Sequence, residues 1–350
     1  MRVALVTVGD TRRLTGGYLY NRRLLDGLGD YGVGAEEVVP CGADSGEQAE
    51  AAAGFGVSFD PTRFDAVVVD ALARIVVAPH LDRWRVVRPV VALVHELPGV
   101  ADPATAGREY PYEGPLIRSD RVVAVSRHGA EVLSGRGVPA GKLAVVPPGL
   151  DGLRRSREER RAAEPPARGT RRVLCVAQWI PRKGVLDLVR AWGTEDRAGA
   201  VLDLVGETEA DAGYAARVRE RADEPSIRVW GTVDDATLAG LYASADLFAL
   251  PSRYEGYGIV YAEALSFGLP VVACRVGPVP EVVGEEAALL VPPGDLGALS
   301  EALGRLLGDP GLVEKMSAAA LGRAARLPRW EDTAEGFLGV LRGAVRERRG

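Results

Sequence analysis

The stretch "ADLFALPSRYEGYGIVYAEALSFGLPVVACR", residues 245–275, places a helical pattern between two short apolar runs. The runs "ADLFALPS" (245–252) and "LPVVACR" (269–275) lack period-two alternation, which is typical of strands buried on both faces of a sheet. The intervening "IVYAEALSFG" has the apolar spacing of a buried helix that stops at Gly268. The stretch therefore predicts two parallel strands joined by a helix.

Similar apolar runs recur along the chain in two series, with helical patterns between several of them. The first series contains "RVALVTV" (2–8), "DAVVVDA" (65–71), "PVVALVHE" (89–96), "RVVAVS" (121–126) and "KLAVVPP" (142–148). The second contains "RRVLCVAQW" (171–179), "AVLDLVG" (200–206), "SIRVWG" (226–231), the two runs above and "AALLVPP" (287–293). This rhythm predicts an α/β protein with two Rossmann-like, doubly wound domains.

The charged, proline-containing segment 154–172 separates the two series and is interpreted as an interdomain linker. A solvated helix followed by a loop is the alternative. The boundaries expected from this division are 1–160 for the N-terminal domain, 161–327 for the C-terminal domain and 328–350 for a final helix that packs back on the N-terminal domain.

Composition excludes several classes of protein. The 350-residue chain is 47% hydrophobic and 26% charged with a net charge of -5, which is typical of a globular protein and gives no general basic footprint for nucleic acid. No stretch approaches the roughly 18 to 20 apolar residues of a membrane-spanning helix. We expect a cytoplasmic protein, with peripheral membrane contact left open. Cys41, Cys175 and Cys274 are expected to be reduced and mostly buried.

Two carboxylates, Glu255 and Glu263, flank the glycine-rich turn of the opening stretch. The backbone N–H groups of Gly256, Tyr257 and Gly258 would lie at a helix N-terminus, which is a ready anion site. Glu263 would lie inside an otherwise apolar helix, where a carboxylate is costly to bury without a hydrogen bond. A sugar diol would satisfy it, and a capping N–H or a nearby arginine would do so equally well.

A second motif, "CVAQWIPRKGVLDLVRAW" (175–192), places Arg182 and Lys183 between a strand and a helix. Cations at the carboxyl edge of a parallel sheet suit a diphosphate, although a solvated basic turn is the alternative. In the first series, the pair Gly16 and Gly17 would let a ligand approach the backbone or would only form a flexible turn. The pair is not the dinucleotide-binding fingerprint, because no Gly-x-Gly-x-x-Gly follows the first strand.

A histidine, His95, ends a buried strand at the carboxyl side of the first predicted sheet. A hydrogen-bonded structural histidine is the alternative to a functional one. The other two histidines, His80 and His128, complete no metal-ligand spacing with it, so no metal site is predicted.

Together these motifs resemble the retaining glycosyltransferases of family 4, in which two Rossmann-like domains face each other across a cleft in the GT-B fold. The resemblance covers most of the chain as an ordered series: "TGGYLYN", "ALVHELPG", "DRVVAVSRHGAEVL", "VVPPGLD", "VAQWIPRKG", "LVGE", the long run from "VWGTVDD" to "LPVVAC" and the C-terminal "RWED". Its most specific element is the pair of glutamates in "EGYGIVYAEAL".

The resemblance implies transfer of a sugar, with retention of anomeric configuration, from a UDP- or GDP-linked donor to an unidentified acceptor hydroxyl. It implies no metal and no cofactor besides this co-substrate. Glu263 would bind the ribose hydroxyls, and Glu255 would hold the donor sugar. Lys183, Arg182 and the N–H groups of residues 256–258 would stabilise the leaving diphosphate.

The resemblance also implies contributions from other parts of the chain. Gly16, Gly17 and His95 would complete the site from the N-terminal domain, and the loop that ends at Val233 would lie near the base. Glu255, Lys183 and His95 are the expected catalytic residues. One departure concerns the donor site: Gln178, in "AQW", stands where the family usually has an arginine.

Three other functions share some of these features. A non-catalytic protein of the same fold would bind nucleotide or sugar without turnover, and a nucleotide-sugar epimerase or a phosphorylase would use the fold for another reaction. A NAD-dependent oxidoreductase is disfavoured by the missing glycine fingerprint. The acceptor cannot be read from the segments 40–56 and 98–115, which are expected to be variable loops.

Overall fold

The computed structural model describes residues 1–13, 15–42, 44–150, 170–193, 197 and 199–349. The chain divides into two compact units, a N-terminal domain of Met1–Gly149 with Pro328–Gly350 and a C-terminal domain of Leu150–Leu327. The expected boundary at 160/161 and residues 154–169 of the expected linker lie outside the described residues. The last residues of that linker, Arg171 and Arg172, belong to a strand.

The N-terminal domain is built on a parallel sheet of six strands in the order β2-β1-β3-β4-β5-β6. Its strands are β1 Arg2–Val6, β2 Gly34–Val38, β3 Ala66–Asp70, β4 Val90–Val94, β5 Arg121–Ala124 and β6 Leu143–Val145. Its helices are α1 Gly16–Asp30, α2 Ser45–Ser58, α3 Arg74–Val87, α4 Pro98–Ala101, α5 Ala106–Ile117 and α6 Arg127–Gly135. All residues of β3 and β4 are buried, as their continuous apolar runs predict.

The C-terminal domain has a second parallel sheet, in the order β12-β11-β10-β7-β8-β9. Its strands are β7 Arg171–Val176, β8 Ala200–Val205, β9 Ile227–Gly231, β10 Leu247–Leu250, β11 Val271–Cys274 and β12 Ala288–Val291. Its helices are α7 Val185–Trp192, α8 Ala212–Arg221, α9 Asp235–Ser244, α10 Ile259–Ser266, α11 Val279–Val283, α12 Leu296–Gly308 and α13 Pro310–Ala324. The predicted α/β class with two doubly wound domains is confirmed.

Each sheet has one point where the strand order reverses. In the N-terminal sheet it lies between β1 and β3, and in the C-terminal sheet it lies between β7 and β10. The loops that follow such strands diverge to opposite faces of the sheet and leave a crevice at its carboxyl edge, where open α/β folds bind ligands. The two switch points therefore locate the candidate site residues.

The last helix, α14 (Trp330–Arg349), returns to the N-terminal domain and packs on α1. The Thr333 hydroxyl of α14 donates to the carbonyl of Pro147 (2.8 Å), and the Tyr20 hydroxyl of α1 donates to that of Val146 (2.9 Å). The ring of Tyr20 also meets that of Trp330 edge to face. Tyr20 is thereby fixed between Val146, which directly follows β6, and Trp330 at the start of α14.

Two expectations from the sequence are wrong, and one strand was missed. The segments 40–56 and 98–115 are not loops over most of their length, because they contain most of α2 and nearly all of α4 and α5. Strand β2, "GAEEV", was not expected, since it is a half-exposed edge strand without an apolar run. Cys41 is exposed, whereas the other two cysteines are buried as expected.

Candidate active site

The loops after β7 and β10 meet at the switch point of the C-terminal sheet. The backbone N–H of Arg253 donates to the carbonyl of Arg182 (2.7 Å), which ties the two loops together. Gly184 has a positive φ of 68°, and a Cβ there would lie 2.2 Å from the carbonyl oxygen of Pro251. Only glycine permits this close approach of the two loops.

An ion pair joins the two loops at their centre. Lys183 Nζ lies 2.7 Å from Oε1 and 2.8 Å from Oε2 of Glu255, whose side chain is almost completely buried. Burial alone would raise the pKa of Glu255, but the charge and hydrogen bonds of Lys183 outweigh it, and the pKa lies below its usual value. The glutamate is therefore a carboxylate at neutral pH, with a single ammonium group against it.

The glycine-rich turn after Glu255 leads directly into helix α10. Gly258 caps the helix with φ 91°, and its Cβ would lie 2.4 Å from the ring of Tyr261. The backbone of residues 256–258 is thus at the N-terminus of α10, as the sequence predicts. A developing negative charge near this turn would be stabilised by the positive end of the helix.

Glu263 is the fifth residue of α10. Its Oε2 accepts a hydrogen bond from the hydroxyl of Tyr242 in α9 (3.0 Å), so its partner is neither a capping N–H nor an arginine. Burial raises the pKa of Glu263 to about 7, and the bond from Tyr242 only partly offsets this. Such a carboxyl would gain from further hydroxyl donors.

Gln178, two residues after the end of β7, donates from Nε2 to Oε2 of Glu207 (2.8 Å) in the loop after β8. The backbone N–H of the next residue, Trp179, also donates to the carbonyl of Glu207 (2.8 Å). The position that the resemblance assigns to a cation is therefore held by a neutral amide paired with a carboxylate. Val233 is half-buried in the loop between β9 and α9.

In the N-terminal domain, the switch point brings together Gly17 and His95. Gly16 and Gly17 are the first residues of α1, and a Cβ on Gly17 would lie 3.5 Å from Cδ2 of His95. The imidazole is half-buried and meets the ring of Tyr20 edge to face, with the two ring centroids 5.1 Å apart. Burial lowers the pKa of His95 below its usual value, which favours the neutral ring.

Sequence reasoning missed the residues that support His95. Its Nε2 lies 3.2 Å from Oδ1 of Asn21, and Asn21 in turn bonds to Asp70 at the end of β3. A carboxylate that ends the otherwise apolar run "VVVD" was a signal that could have been used, since a buried charge requires partners.

The described part of the chain contains neither a metal-binding cluster nor a membrane-spanning helix. There, no group of three or more His, Cys, Asp and Glu side chains is arranged to hold a metal ion. No helix among the same residues is long and apolar enough to cross a membrane.

The chain is similar to known proteins both in sequence and in fold. Residues 170–309 match the family described as glycosyl transferases group 1. A D-inositol 3-phosphate glycosyltransferase of Kineococcus radiotolerans is 32% identical over 300 residues, which cover 76% of this chain and 68% of the relative. An MMP alpha-(1->4)-mannosyltransferase of Mycolicibacterium hassiacum is 31% identical over 225 residues, or 63% of this chain and 53% of that protein.

The likeness extends to solved structures. The Anabaena HepE protein, determined in complex with UDP-glucose, superposes with a TM-score of 0.77 over 98% of this chain and 100% of that one, at 18% identity. At this identity the likeness concerns the fold, which is the two-domain GT-B fold. The chain belongs to the glycosyl transferases group 1 family, as its motifs predict. It covers only 53% to 64% of the length of several curated relatives.

Proposed function

We propose that this protein is a retaining glycosyltransferase that moves a sugar from a nucleoside-diphosphate sugar to an acceptor hydroxyl without a metal ion. The observation that carries the proposal is the Lys183–Glu255 ion pair, which lies beside the N-terminus of α10 at the switch point of the C-terminal sheet. This arrangement offers positive charge for a diphosphate and a carboxylate for sugar hydroxyls. The names of the relatives, a mannosyltransferase among them, support hexosyl transfer.

In the proposed reaction, the bond between the anomeric carbon and the diphosphate oxygen breaks, and its electron pair leaves with the diphosphate. The acceptor oxygen forms the new bond to the anomeric carbon, and the acceptor proton passes to the diphosphate or to solvent. Negative charge thus develops on the leaving group. Lys183, Arg182 and the N–H groups of residues 256–258 would stabilise it, and fixed charges of this kind lower a barrier most effectively.

Each carboxylate then has a separate role. Glu255 would accept hydrogen bonds from donor-sugar hydroxyls while Lys183 turns toward the diphosphate. Glu263 would accept hydrogen bonds from the ribose hydroxyls. In the hydrogen bonds described, Tyr242 donates to only one of the two oxygens of this carboxyl, so the ribose would supply further donors. The donor base is proposed to be uracil or guanine. The HepE complex with UDP-glucose supports a uridine nucleotide.

A second candidate, a non-catalytic nucleotide-binding protein, is favoured by the Gln178–Glu207 pair, which replaces a cation at the donor site. Binding and turnover measured on the same samples separate the two functions. Thermal shifts with UDP, GDP, ADP, CMP and dTDP, and with NAD as a negative control, identify the nucleotide. Donor turnover, with and without EDTA, is then followed with the corresponding sugar nucleotides and a mixed panel of hydroxyl acceptors.

We expect selective stabilisation by one nucleoside diphosphate, loss of that shift in Glu263→Ala, and EDTA-insensitive turnover. Glu301→Ala, which changes an exposed glutamate of α12, is the matched control and should keep the shift. A shift without any turnover would favour the non-catalytic candidate. No shift with any nucleoside diphosphate would contradict both.

A further inference from the structure

A buried chain of polar side chains runs through the N-terminal domain to His95. It consists of Thr7, Asp70, Asn21 and His95, and the first three are fully buried. Thr7 follows β1, Asp70 ends β3, Asn21 lies in α1 and His95 follows β4. The proposed reaction gives no role to the first three residues, although burying three polar side chains is costly unless each is hydrogen-bonded.

The hydrogen bonds of Asp70 fix the orientation of Asn21. Oδ1 of Asp70 accepts the backbone N–H of Leu72 (2.9 Å), and Oδ2 accepts the hydroxyl of Thr7 (2.9 Å) and the amide nitrogen of Asn21 (2.6 Å). A carboxylate only accepts hydrogen bonds, so Asn21 must turn its NH₂ group toward Asp70. Oδ1 of Asn21 then faces Nε2 of His95 at 3.2 Å.

An amide oxygen also only accepts, so Nε2 of His95 must carry the proton. The neutral imidazole has one N–H and one lone pair on its two nitrogens, and the partner of one nitrogen determines the state of the other. Nδ1 of His95 is therefore left with the lone pair. Among the residues that the structure describes, none donates a hydrogen bond to it.

We propose that Asn21, oriented by Asp70, is a positioning residue that holds His95 in the Nε2–H tautomer and so presents Nδ1 as the acceptor for a substrate hydroxyl. The identity of that hydroxyl, on the donor sugar or on the acceptor, rests on the proposed function. The edge-to-face contact with Tyr20 fixes the orientation of the His95 ring, while Asn21 determines which ring nitrogen carries the proton. His95 then binds a hydroxyl as an acceptor and does not donate to it through Nδ1.

Long-range ¹H–¹⁵N correlation spectra of ligand-free protein labelled at histidine test the tautomer directly. The chain has only three histidines, and His80→Gln and His128→Gln assign the signals. We expect a pyrrole-type Nε2 and a pyridine-type Nδ1 for His95 at pH 7.5. A predominant Nδ1–H tautomer in the unmodified protein would overturn the proposal, whatever the variants do.

Asp70→Asn provides the most specific test, because the asparagine side chain has almost the same shape as the aspartate that it replaces. The remaining side-chain oxygen is needed by the N–H of Leu72, so the new NH₂ group faces Asn21 and forces that amide to turn. Asn21 would then donate to Nε2, and the His95 tautomer should reverse. Asp65→Asn is the matched control, since Asp65 accepts only from the backbone of Arg2 among its described hydrogen bonds and its substitution should leave the tautomer unchanged.

Asn21→Leu provides a second test that does not depend on the folding of the Asp70 variant. Without an amide partner, we expect His95 to populate both tautomers, and an unchanged single tautomer would contradict the proposal. Transfer should lose about tenfold in kcat/KM, the value of one hydrogen bond, while the thermal shift with nucleoside diphosphate remains. The spectra are recorded without substrate, so they test the tautomer even if no transfer is found.

Discussion

The pKa of Glu255 is lowered and that of Glu263 is raised, although both belong to one loop–helix segment at the same sheet edge. Burial acts on both carboxyls in the same direction. The difference arises because Lys183 lies against Glu255, whereas the partner of the Glu263 carboxyl among the described hydrogen bonds is the neutral hydroxyl of Tyr242. Two carboxyls whose surroundings separate their pKa values are suited to different roles, which is the division that the proposed function requires.

Replacing Lys183 should affect stability and transfer together. In Lys183→Met the Glu255 carboxylate would be buried without its counter-ion, and we expect the free energy of unfolding to fall by roughly 3 kcal/mol at pH 7. Transfer should fall by about 10² to 10³-fold because charge on the leaving diphosphate loses a fixed cation. Chemical denaturation and steady-state kinetics measure the two effects.

The double variant Lys183→Met/Glu255→Gln separates structure from chemistry. It should recover much of the stability, because no unpaired buried charge remains, but none of the transfer. Lys315→Met, at an exposed position of α13, is the control. A double variant that transfers sugar at the normal rate would show that the ion pair is structural only.

The raised pKa of Glu263 predicts that its contribution to the free energy of unfolding changes with pH in the opposite direction to that of a carboxylate with a lowered pKa. Its pKa is about 7 in the folded protein against a usual value of 4.5, so between these pH values the folded state binds more protons than the unfolded state. The free energy of unfolding should therefore decrease as the pH rises from about 4.5 to 7, by up to roughly 3 kcal/mol. Denaturation of Glu263→Gln should lack this decrease, while that of Glu301→Gln should retain it.

The same group should link nucleotide binding to pH. In the proposed function, ribose hydroxyls donate hydrogen bonds to the ionised carboxylate of Glu263, so nucleoside diphosphate affinity should rise as the pH passes through 7. Calorimetric titration between pH 6 and pH 8 measures this, and Glu263→Gln supplies the reference without a titrating side chain. If the affinity changed equally with pH in the two proteins, Glu263 would not be the residue that binds the ribose.

The fold was readable from the sequence because the buried strands are continuous apolar runs, as in β3 and β4. The edge strand β2, "GAEEV", gave no such signal, since a half-exposed edge strand can be polar. The Lys183–Glu255 pair joins loops that are distant in the sequence, so the family resemblance indicated its residues but not their direct bond. Asn21 gave no signal, because in the sequence a single polar residue of α1 cannot be distinguished from any other polar position on a helix.

Two glycines, one in each domain, should respond differently to alanine. Gly258→Ala puts a side chain at φ 91° and within 2.4 Å of Tyr261, so we expect substantial loss of stability along with activity. A Cβ on Gly17 would meet only ordinary contact with His95 at 3.5 Å, so Gly17→Ala should fold normally. If a ligand approaches this backbone, Gly17→Ala should nevertheless raise the KM of the donor or the acceptor. If both the kinetics and the melting temperature of Gly17→Ala were unchanged, Gly17 would only form the turn and no ligand would approach its backbone.

The pairing of Gln178 with Glu207 predicts how donor affinity is set. Since Gln178 contributes no charge, Arg182 is expected to compensate, and Arg182→Ala should weaken nucleoside diphosphate binding by about tenfold. Gln178→Arg should restore a cation at the strand end and make binding less dependent on Arg182, so the loss caused by Arg182→Ala should be smaller in that background. Calorimetry on the four proteins of this cycle, with Arg221→Ala at the exposed end of α8 as control, measures the coupling. Equal losses in both backgrounds would show that the two positions act independently, and no loss in either would show that Arg182 does not bind the diphosphate.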